Sequence, residues 1–258
     1  MIEPGKVETT LIKQTGKSTI CAALIDPEDF SPKEAAKVVE KAIGAGVKVI
    51  LVGGSTLANQ AKLDSVLRAI TSVTSRVTRS QSTSRVPVVL FPGNVSGVSR
   101  YADAILFSSL LNSTNTYFIV GAQALGSMEV LKSGIESIPM GYLVFGSSSA
   151  TSFIGQVNTL PASKPQLAVI YALAAKYMGM RSLYLEAGSG SDEPIQAETI
   201  RAVRKFYEGL LIVGGGITSA EAARKAARAG ADIVVVGNLL QTRGFEGTLA
   251  KIVAAASK

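Results

Sequence analysis

The feature that most constrains the fold is a repeated alternation of short, almost wholly apolar runs with longer amphipathic segments. Nearly continuous runs of Val, Ile and Leu are typical of parallel strands buried on both faces, whereas half-exposed strands alternate apolar and polar residues. The predicted strands cover residues 19–25, 47–52, 86–91, 103–107, 140–145, 181–186, 210–213 and 231–236. The pattern therefore predicts a parallel sheet covered by helices.

The amphipathic segments carry helix-start signals. Ser31, Pro32 and Glu34 form a capping box with proline at the first helical position. Eight strand–helix units in a chain of 258 residues favour a closed barrel over an open doubly wound sheet. We therefore predict an α/β fold, with residues 1–258 forming a single (β/α)8 TIM-barrel domain.

Two segments interrupt this alternation. Residues 71–85 are rich in Ser, Thr and Arg, and they precede the third predicted strand. We interpret them as a surface insertion, a loop at the end of the barrel away from the chemistry. Residues 146–163 follow the fifth strand, so they lie at the opposite end. Because ligand-binding loops follow the strands of such barrels, this segment is a candidate lid or substrate-contacting loop.

Composition excludes several kinds of function. The chain has no histidine, which excludes histidine metal ligands, histidine bases and Ser-His or Cys-His nucleophiles. The net charge is +7, but the basic residues are scattered and no basic run is interleaved with aromatic residues, so we expect no nucleic-acid partner. No apolar run reaches the roughly 18 residues of a membrane span. With no leader visible, we expect a cytoplasmic protein.

Glycines follow each of the last three predicted strands. Glycine loops let backbone N–H groups approach an anion, and the next helix points its N-terminus at the same place. Three such loops after the final strands of a barrel predict a phosphate pocket. The alternative is that the glycines only make tight turns. The loop residues are Gly188, Ser189, Gly190, Gly214, Gly215, Gly216, Gly237 and Asn238.

The sixth strand brings chemistry to this pocket. Tyr184 and Glu186 share the same parity, which directs both towards the barrel mouth and Leu185 towards the helices. A carboxylate beside a phosphate is costly unless it acts on the substrate, so Glu186 is a candidate for orienting or deprotonating a hydroxyl. The alternative is an ion pair with a lysine or arginine.

Asp26 and Ser55 end the first two strands. One carboxylate and one hydroxyl from neighbouring strands suit Mg²⁺ that arrives partly ligated by substrate phosphates. The alternative is that Asp26 caps a turn and Ser55 caps the following helix. The two predicted sites lie across one barrel mouth, which suggests a substrate, or a pair of substrates, with two phosphorylated ends.

Several motifs occur in order along nearly the whole chain: ALIDPED (23–29), VGGST (52–56), VLFPGN (89–94), SLLNSTN (109–115), YFIVGAQ (117–123), YALAAKYMGM (171–180), YLEAGSG (184–190), IVGGGI (212–217) and VVGNLL (235–240). Together they resemble the geranylgeranylglyceryl phosphate synthase family, which includes the bacterial heptaprenylglyceryl phosphate synthases. The stretch after the fifth strand departs from the family's Glu-Pro-Gly-like pattern and reads Phe145-Gly146-Ser147.

The resemblance implies Mg²⁺-dependent transfer of a prenyl group from its diphosphate to the C3 hydroxyl of sn-glycerol 1-phosphate, the first ether bond of archaeal membrane lipids. Asp26 and Ser55 match the family's metal positions. The positions that match its glycerol-phosphate site are Tyr184, Leu185, Glu186, Ala187, Gly188, Ser189, Gly190, Gly214, Gly215, Gly216, Gly237 and Asn238. The resemblance also implies a homo-oligomer, dimeric or hexameric, with transient contact to a membrane surface.

Other interpretations stay open at the level of sequence. Isomerases and synthases of tryptophan and histidine biosynthesis share the glycine loops, although YLEAGSG is not typical of them. A non-catalytic phosphometabolite-binding barrel would keep the loops without needing Asp26. A heptaprenyl-specific relative would have the same motifs, because prenyl length depends on what closes the far end of an apolar trench.

Overall fold

The computed structural model describes residues 3–56, 59–81, 85–146, 149–188, 191 and 193–257. Within them, eight parallel strands pair in sequence order, and the last pairs with the first to close a barrel. This confirms the predicted TIM barrel. The strands are β1 (Ile20–Ile25), β2 (Val49–Val52), β3 (Val88–Leu90), β4 (Ala104–Leu110), β5 (Glu136–Val144), β6 (Ser182–Glu186), β7 (Leu210–Gly214) and β8 (Ile233–Val236).

Helices surround the strands. The helix after β1 begins at the predicted capping box, where the Ser31 hydroxyl accepts from the Glu34 N–H at 3.3 Å and the Glu34 carboxylate accepts from the Ser31 N–H at 2.9 Å. The α-helices of the described residues are α1 (Lys6–Thr15), α2 (Pro32–Gly44), α3 (Gln60–Gln81), α4 (Ala122–Ser133), α5 (Ala150–Ile154), α6 (Pro165–Tyr177), α7 (Ala197–Arg204), α8 (Ala220–Arg228) and α9 (Phe245–Ala256).

The core has two layers, because successive strand residues point to opposite faces of the sheet. One layer fills the barrel interior and the other lies between the sheet and the helices. The interior layer includes Ala22, Leu51, Val89, Leu106, Tyr142, Tyr184, Ile212 and Val235. The outer layer includes Ala23, Ile50, Leu90, Ile105, Leu143, Leu185, Val213 and Val234.

Helix α1 closes the end of the barrel at which the strands begin. Its Leu11 packs with the interior layer. The Glu136 carboxylate, at the start of β5, accepts from the backbone N–H groups of Val7 at 2.7 Å and Glu8 at 2.8 Å. The buried Glu8 carboxylate pairs with Arg181 at 2.7 Å. Among the described residues, this end of the barrel is therefore closed, and the cavities open at the opposite end.

The segment 71–85 is a correction to the sequence analysis. Helix α3 continues to Gln81, so the predicted loop is helical as far as the structure describes it. Val66, Ile70 and Val73 are buried at helical spacing, and this periodicity outweighs the low helix propensity of Ser and Thr. Hydroxyls in the segment bond back to the preceding turn, as Thr71 does to the carbonyl of Leu67 at 2.9 Å. Residues 82–84 lie outside the described part.

The connection between β3 and β4 is a second correction. A helix was expected after every strand, but residues 91–103, all of them described, contain only one 3₁₀ turn, Val95–Gly97. The stretch is short and contains Pro92, Gly93 and Gly97, which disfavour a helix. The outer face of the barrel between α3 and α4 consequently has no covering helix, and a groove forms there.

Candidate active site

The loops after β6, β7 and β8 meet around one cavity at the C-terminal end of the barrel. Six of the residues predicted for the phosphate pocket line it: Tyr184, Glu186, Gly215, Gly216, Gly237 and Asn238. Leu185 points away into the outer layer, as its parity predicted. Ser189 and Gly190 lie outside the described residues.

The glycines after β7 are required by the packing of the site's own side chains. A Cβ atom at Gly214 would lie 1.9 Å from the Tyr184 hydroxyl. At Gly215 it would lie 2.5 Å from Oε1 of Glu186, and the φ angle there is +79°. A turn alone would explain the positive φ but not the close contacts. These two glycines make room for Tyr184 and Glu186 in the mouth of the barrel.

Glu186 is the buried acid of the site, with a relative exposure of 6%. Burial raises its pKa to about 7, while hydrogen bonds from the Gly188 N–H and the Tyr184 hydroxyl oppose the rise. The bond from Gly188 is 2.7 Å long. No ion pair joins Glu186 to a lysine or arginine of the described chain, so the ion-pair alternative fails. A carboxyl group that titrates near neutrality is suited to proton transfer.

Three aromatic rings form the floor below Glu186. Phe91 stacks on Tyr184 with ring centroids 5.0 Å apart, and both rings contact Tyr142 edge-on at 5.3 Å. Sequence reasoning did not assign Phe91 to the site. The available signal was its position directly after β3, at the first residue of the FPGN motif.

Asp26 and Ser55 line a second cavity on the opposite side of the mouth. Oδ1 of Asp26 accepts from the Glu28 N–H at 2.9 Å, so this residue does cap a turn. Its other oxygen lies against Gly54, where a Cβ would be 2.0 Å from Oδ2. Burial raises the pKa of Asp26, and the hydrogen bond from Glu28 lowers it.

Ser55 does not cap α3, which contradicts the helix-cap alternative for this residue. That role belongs to Asn59, whose side-chain oxygen accepts from the Lys62 N–H at 3.1 Å. The Ser55 hydroxyl instead lies 2.8 Å from the Thr151 hydroxyl of α5. Helix α5 belongs to the predicted lid segment 146–163, which therefore reaches the site; residues 147 and 148 are outside the described part.

The donor atoms on this side fit a hard cation such as Mg²⁺. Asp26 supplies a carboxylate and Ser55 a hydroxyl, both beside the same cavity. Within the described residues there is no cluster of three or more His, Cys, Asp or Glu that could hold a metal by itself. A site with so few protein ligands suits an ion that keeps its waters and also binds substrate phosphates.

The second cavity continues from the mouth into the groove outside the barrel. Its walls there include Val98, Ile105, Phe107, Gly126 and Val130. At the mouth it shares four residues with the first cavity: Leu24, Glu186, Gly237 and Asn238. The polar pocket and the apolar groove therefore meet beside the Glu186 carboxylate. None of the described helices is long and apolar enough to cross a membrane.

Comparison with known proteins agrees with this geometry. A geranylgeranylglyceryl phosphate synthase of Thermococcus gammatolerans is 47% identical over 95% of this chain and 93% of that protein. The synthase of Cenarchaeum symbiosum is 46% identical over 97% of this chain and 98% of that protein. The structure of the (S)-3-O-geranylgeranylglyceryl phosphate synthase of Thermoplasma acidophilum, in complex with sn-glycerol-1-phosphate, matches with a TM-score of 0.91 and 35% identity over 99% of both chains.

A more distant likeness concerns the fold alone. A thiamine phosphate pyrophosphorylase from Pyrococcus furiosus matches with a TM-score of 0.60 and 12% identity, over 94% of this chain and 96% of that one. The model of the PcrB family, by contrast, matches residues 16–256, nearly the whole sequence. The chain therefore belongs to the PcrB family.

Proposed function

We propose that this chain is a geranylgeranylglyceryl phosphate synthase. It transfers a geranylgeranyl group from its diphosphate to the C3 hydroxyl of sn-glycerol 1-phosphate, with Mg²⁺ as cofactor, and so forms the first ether bond of archaeal membrane lipids. The observation that carries the proposal is the joining of a polar pocket to a long apolar groove beside Glu186. The similarity to synthases over almost the full chain supports it.

The polar pocket holds the acceptor. Backbone N–H groups of the glycine loops and the N-terminus of α8 favour a phosphate there. The related Thermoplasma acidophilum enzyme was solved with sn-glycerol-1-phosphate bound. In this chain the contacts come from the residues that line the pocket, Tyr184, Glu186, Gly215, Gly216, Gly237 and Asn238. Ser189 and Gly190 stay predicted contacts, because both lie outside the described residues.

The groove and the second cavity hold the donor. The apolar walls of the groove, which include Val98, Ile105 and Val130, exclude water from the prenyl chain. Asp26 and Ser55 lie at the polar end of the groove, where they would hold Mg²⁺ together with the diphosphate. When bound, Mg²⁺ neutralises the charge that accumulates on the leaving diphosphate.

Glu186 acts on the acceptor hydroxyl. The allylic C–O bond of the donor breaks and its electron pair leaves with the diphosphate. The C3 oxygen of the acceptor bonds to the allylic carbon, and its proton passes to the Glu186 carboxylate. Tyr184 donates a hydrogen bond to that carboxylate and holds it in the mouth. Placing both reactants at one junction supplies the orientation that such a transfer needs.

The experiment that tests this proposal is product analysis with glycerol 1-phosphate, Mg²⁺ and a ladder of prenyl diphosphates. A geranylgeranyl ether is the expected product. If the protein prefers heptaprenyl diphosphate, the proposed donor is wrong but the proposed transfer reaction still holds. If no prenyl diphosphate yields an ether, the proposed activity is wrong and a different phosphate-binding barrel function takes its place.

We further propose a cytoplasmic homo-oligomer, a dimer or hexamer, that contacts a membrane surface transiently. Exposed apolar side chains on α4 and α6 support self-association; they include Leu125, Met128, Leu131, Ile170 and Tyr177. Phe153 on α5 is 85% exposed beside the mouth, which favours contact with lipid where the apolar donor is taken up.

A further inference from the structure

Thr151 is a residue of α5 to which neither composition nor motif assigned a role. Its hydroxyl lies 2.8 Å from the Ser55 hydroxyl and beside the phenol of Tyr142. Thr151, Ser55 and Tyr142 line the same cavity as Asp26. One short helix after β5 thus reaches across the mouth and contacts the loop after β2.

The order of donors in this chain of hydroxyls follows from the chemistry of the site. A serine hydroxyl that ligates a cation must point its proton away from that cation. The described partner for the Ser55 proton is the Thr151 oxygen. A threonine hydroxyl has one proton, so the Thr151 proton then points away from Ser55. In this arrangement the lone pairs of Ser55 face the cavity that contains Asp26.

Helix α5 is held on both sides, which fixes the position of Thr151. Its first turn has a capping box between Ser149 and Ser152. Ser149 packs against Gly188, where a Cβ would lie 3.2 Å from the Ser149 Cβ. On the far side, the Ser113 hydroxyl donates to the Gly155 carbonyl at 2.6 Å, and the Thr114 hydroxyl donates to the Gln156 carbonyl at 2.8 Å.

We propose that Thr151 is a positioning residue for the donor end of the site: by accepting the Ser55 proton it orients the Ser55 oxygen towards the cation that accompanies the diphosphate. The inference rests on the proposed function. It also connects the two ends of the site. Thr151 lies beside Tyr142, the Tyr142 ring contacts Tyr184 at 5.3 Å, and the Tyr184 hydroxyl interacts with the Glu186 carboxylate.

The test replaces Thr151 with valine, which keeps the shape and removes the hydroxyl. Binding of geranylgeranyl diphosphate is measured calorimetrically without acceptor, over a range of Mg²⁺ concentrations and in EDTA. In Thr151→Val we expect the half-saturating Mg²⁺ concentration to rise about 10-fold or more, as for other partners of metal ligands. Donor binding in EDTA and the KM for glycerol 1-phosphate should stay within about twofold of wild type. Thr151→Ser, which keeps the hydroxyl, should restore the wild-type Mg²⁺ dependence.

Thr114→Val is the matched control, because it removes a hydroxyl bond to the segment that follows α5 from the exposed side. It should leave the Mg²⁺ requirement unchanged, because the Thr114 N–H still donates to the Gln156 carbonyl at 2.9 Å and keeps α5 in place. An equal shift in this control would mean that Thr151 only anchors the segment, and a wild-type Mg²⁺ titration of Thr151→Val would likewise overturn the inference. Thr151→Ala gives the same test if thermal unfolding shows that valine is not tolerated.

A double-mutant cycle with Ser55 separates this inference from the proposed function. If Thr151 acts through Ser55, adding Thr151→Val to Ser55→Ala should weaken Mg²⁺-dependent donor binding no further. Fully additive effects contradict the inference even when wild type makes the ether. Failure of wild type to bind or convert any prenyl diphosphate removes the proposed function itself.

Discussion

Glu186, the residue that we propose as the base of the reaction, is buried in the mouth of the barrel. The carboxylate is surrounded by the Tyr184 ring, Gly215 and the backbone of Gly188, so charging it costs free energy that two hydrogen bonds only partly offset. Its pKa near 7 follows directly from that balance. The group is therefore in its basic form for only part of the molecules at neutral pH.

The pH dependence of turnover should report this carboxyl group. Since the deprotonated form is the proposed base, kcat/KM should increase with pH and level off above about 7, the pKa of Glu186 in the substrate-free protein. Glu186→Gln should lower kcat about 100-fold or more and abolish the rising limb. Glu193 is exposed, and the control variant Glu193→Gln should retain both the wild-type kcat and the rising limb of the pH profile. A rising limb that persists unchanged in Glu186→Gln would assign it to another group.

At this scale the inward-facing strand residues and the glycine loops were predictable, but Thr151 and Phe91 were not. Parity alone directs Tyr184 and Glu186 inwards and Leu185 outwards, and the structure agrees. Thr151 and Phe91 reach the site because of where α5 and the turn after β3 lie in space. No periodicity or spacing in the sequence records that. The roles proposed for Ser189 and Gly190 stay predictions, since both lie outside the described residues.

Among the elements, the connection between β3 and β4 does most to shape the groove. With a single 3₁₀ turn in place of a helix, the outward faces of Ile105 and Phe107 become walls of a groove, and Gly126 of α4 faces them. Pro92, Gly93 and Gly97 are the signals in the sequence that disfavour a helix here. The eightfold alternation of strand and helix patterns led us to predict a helix after every strand in spite of these residues.

Gly126 offers a way to shorten the groove. An added Cβ there would make only an ordinary contact, 3.7 Å from Val95 Cγ1, so larger side chains extend into the groove itself. Gly126→Phe should lower kcat/KM for geranylgeranyl diphosphate at least 10-fold while sparing geranyl diphosphate. The comparison is made by competition between the two donors.

Gly126→Ala is the control for this experiment. It should keep the wild-type preference and stabilise α4 by up to about 1 kcal/mol, because alanine replaces glycine within a helix. If Gly126→Phe shows the same ratio of kcat/KM values for the two donors as wild type, the prenyl chain does not pass this residue.

At the scale of the whole molecule, the two ends of the barrel have separate tasks. The end at which the strands begin is closed by α1 and the Glu136 carboxylate, and the end at which they finish contains both cavities. The hydrophobic pattern was sufficient to predict this architecture, because eight buried parallel strands have few other ways to close. The side chains that hold α1 were not predictable, since Glu136 bonds to residues about 130 positions away in the chain.

Glu136→Ala should test this separation of stability from catalysis. It removes the acceptor for two backbone N–H groups at the start of α1, so we expect a loss of about 1–3 kcal/mol in the free energy of unfolding. Below the temperature of unfolding, kcat and both KM values should match wild type. Urea denaturation measures the first quantity and steady-state kinetics the second.

The exposed Glu129 of α4, replaced by alanine, is the control for general loss of a surface charge. It should change stability by less than about 0.5 kcal/mol. If kcat of Glu136→Ala also falls, and the increase in activation free energy is as large as the loss in the free energy of unfolding, the two ends of the barrel are coupled instead.

The missing helix after β3 also affects how specificity can change. The groove lies outside the sheet, so the layers that fill the barrel interior do not need to be repacked when its length is altered. The strands β6 to β8 and the loops after them line the polar pocket, whereas β4, α4 and one short turn line the groove. On the proposed function, the two halves of the product are specified by separate parts of the chain, and we expect mutation to vary one while the other is preserved.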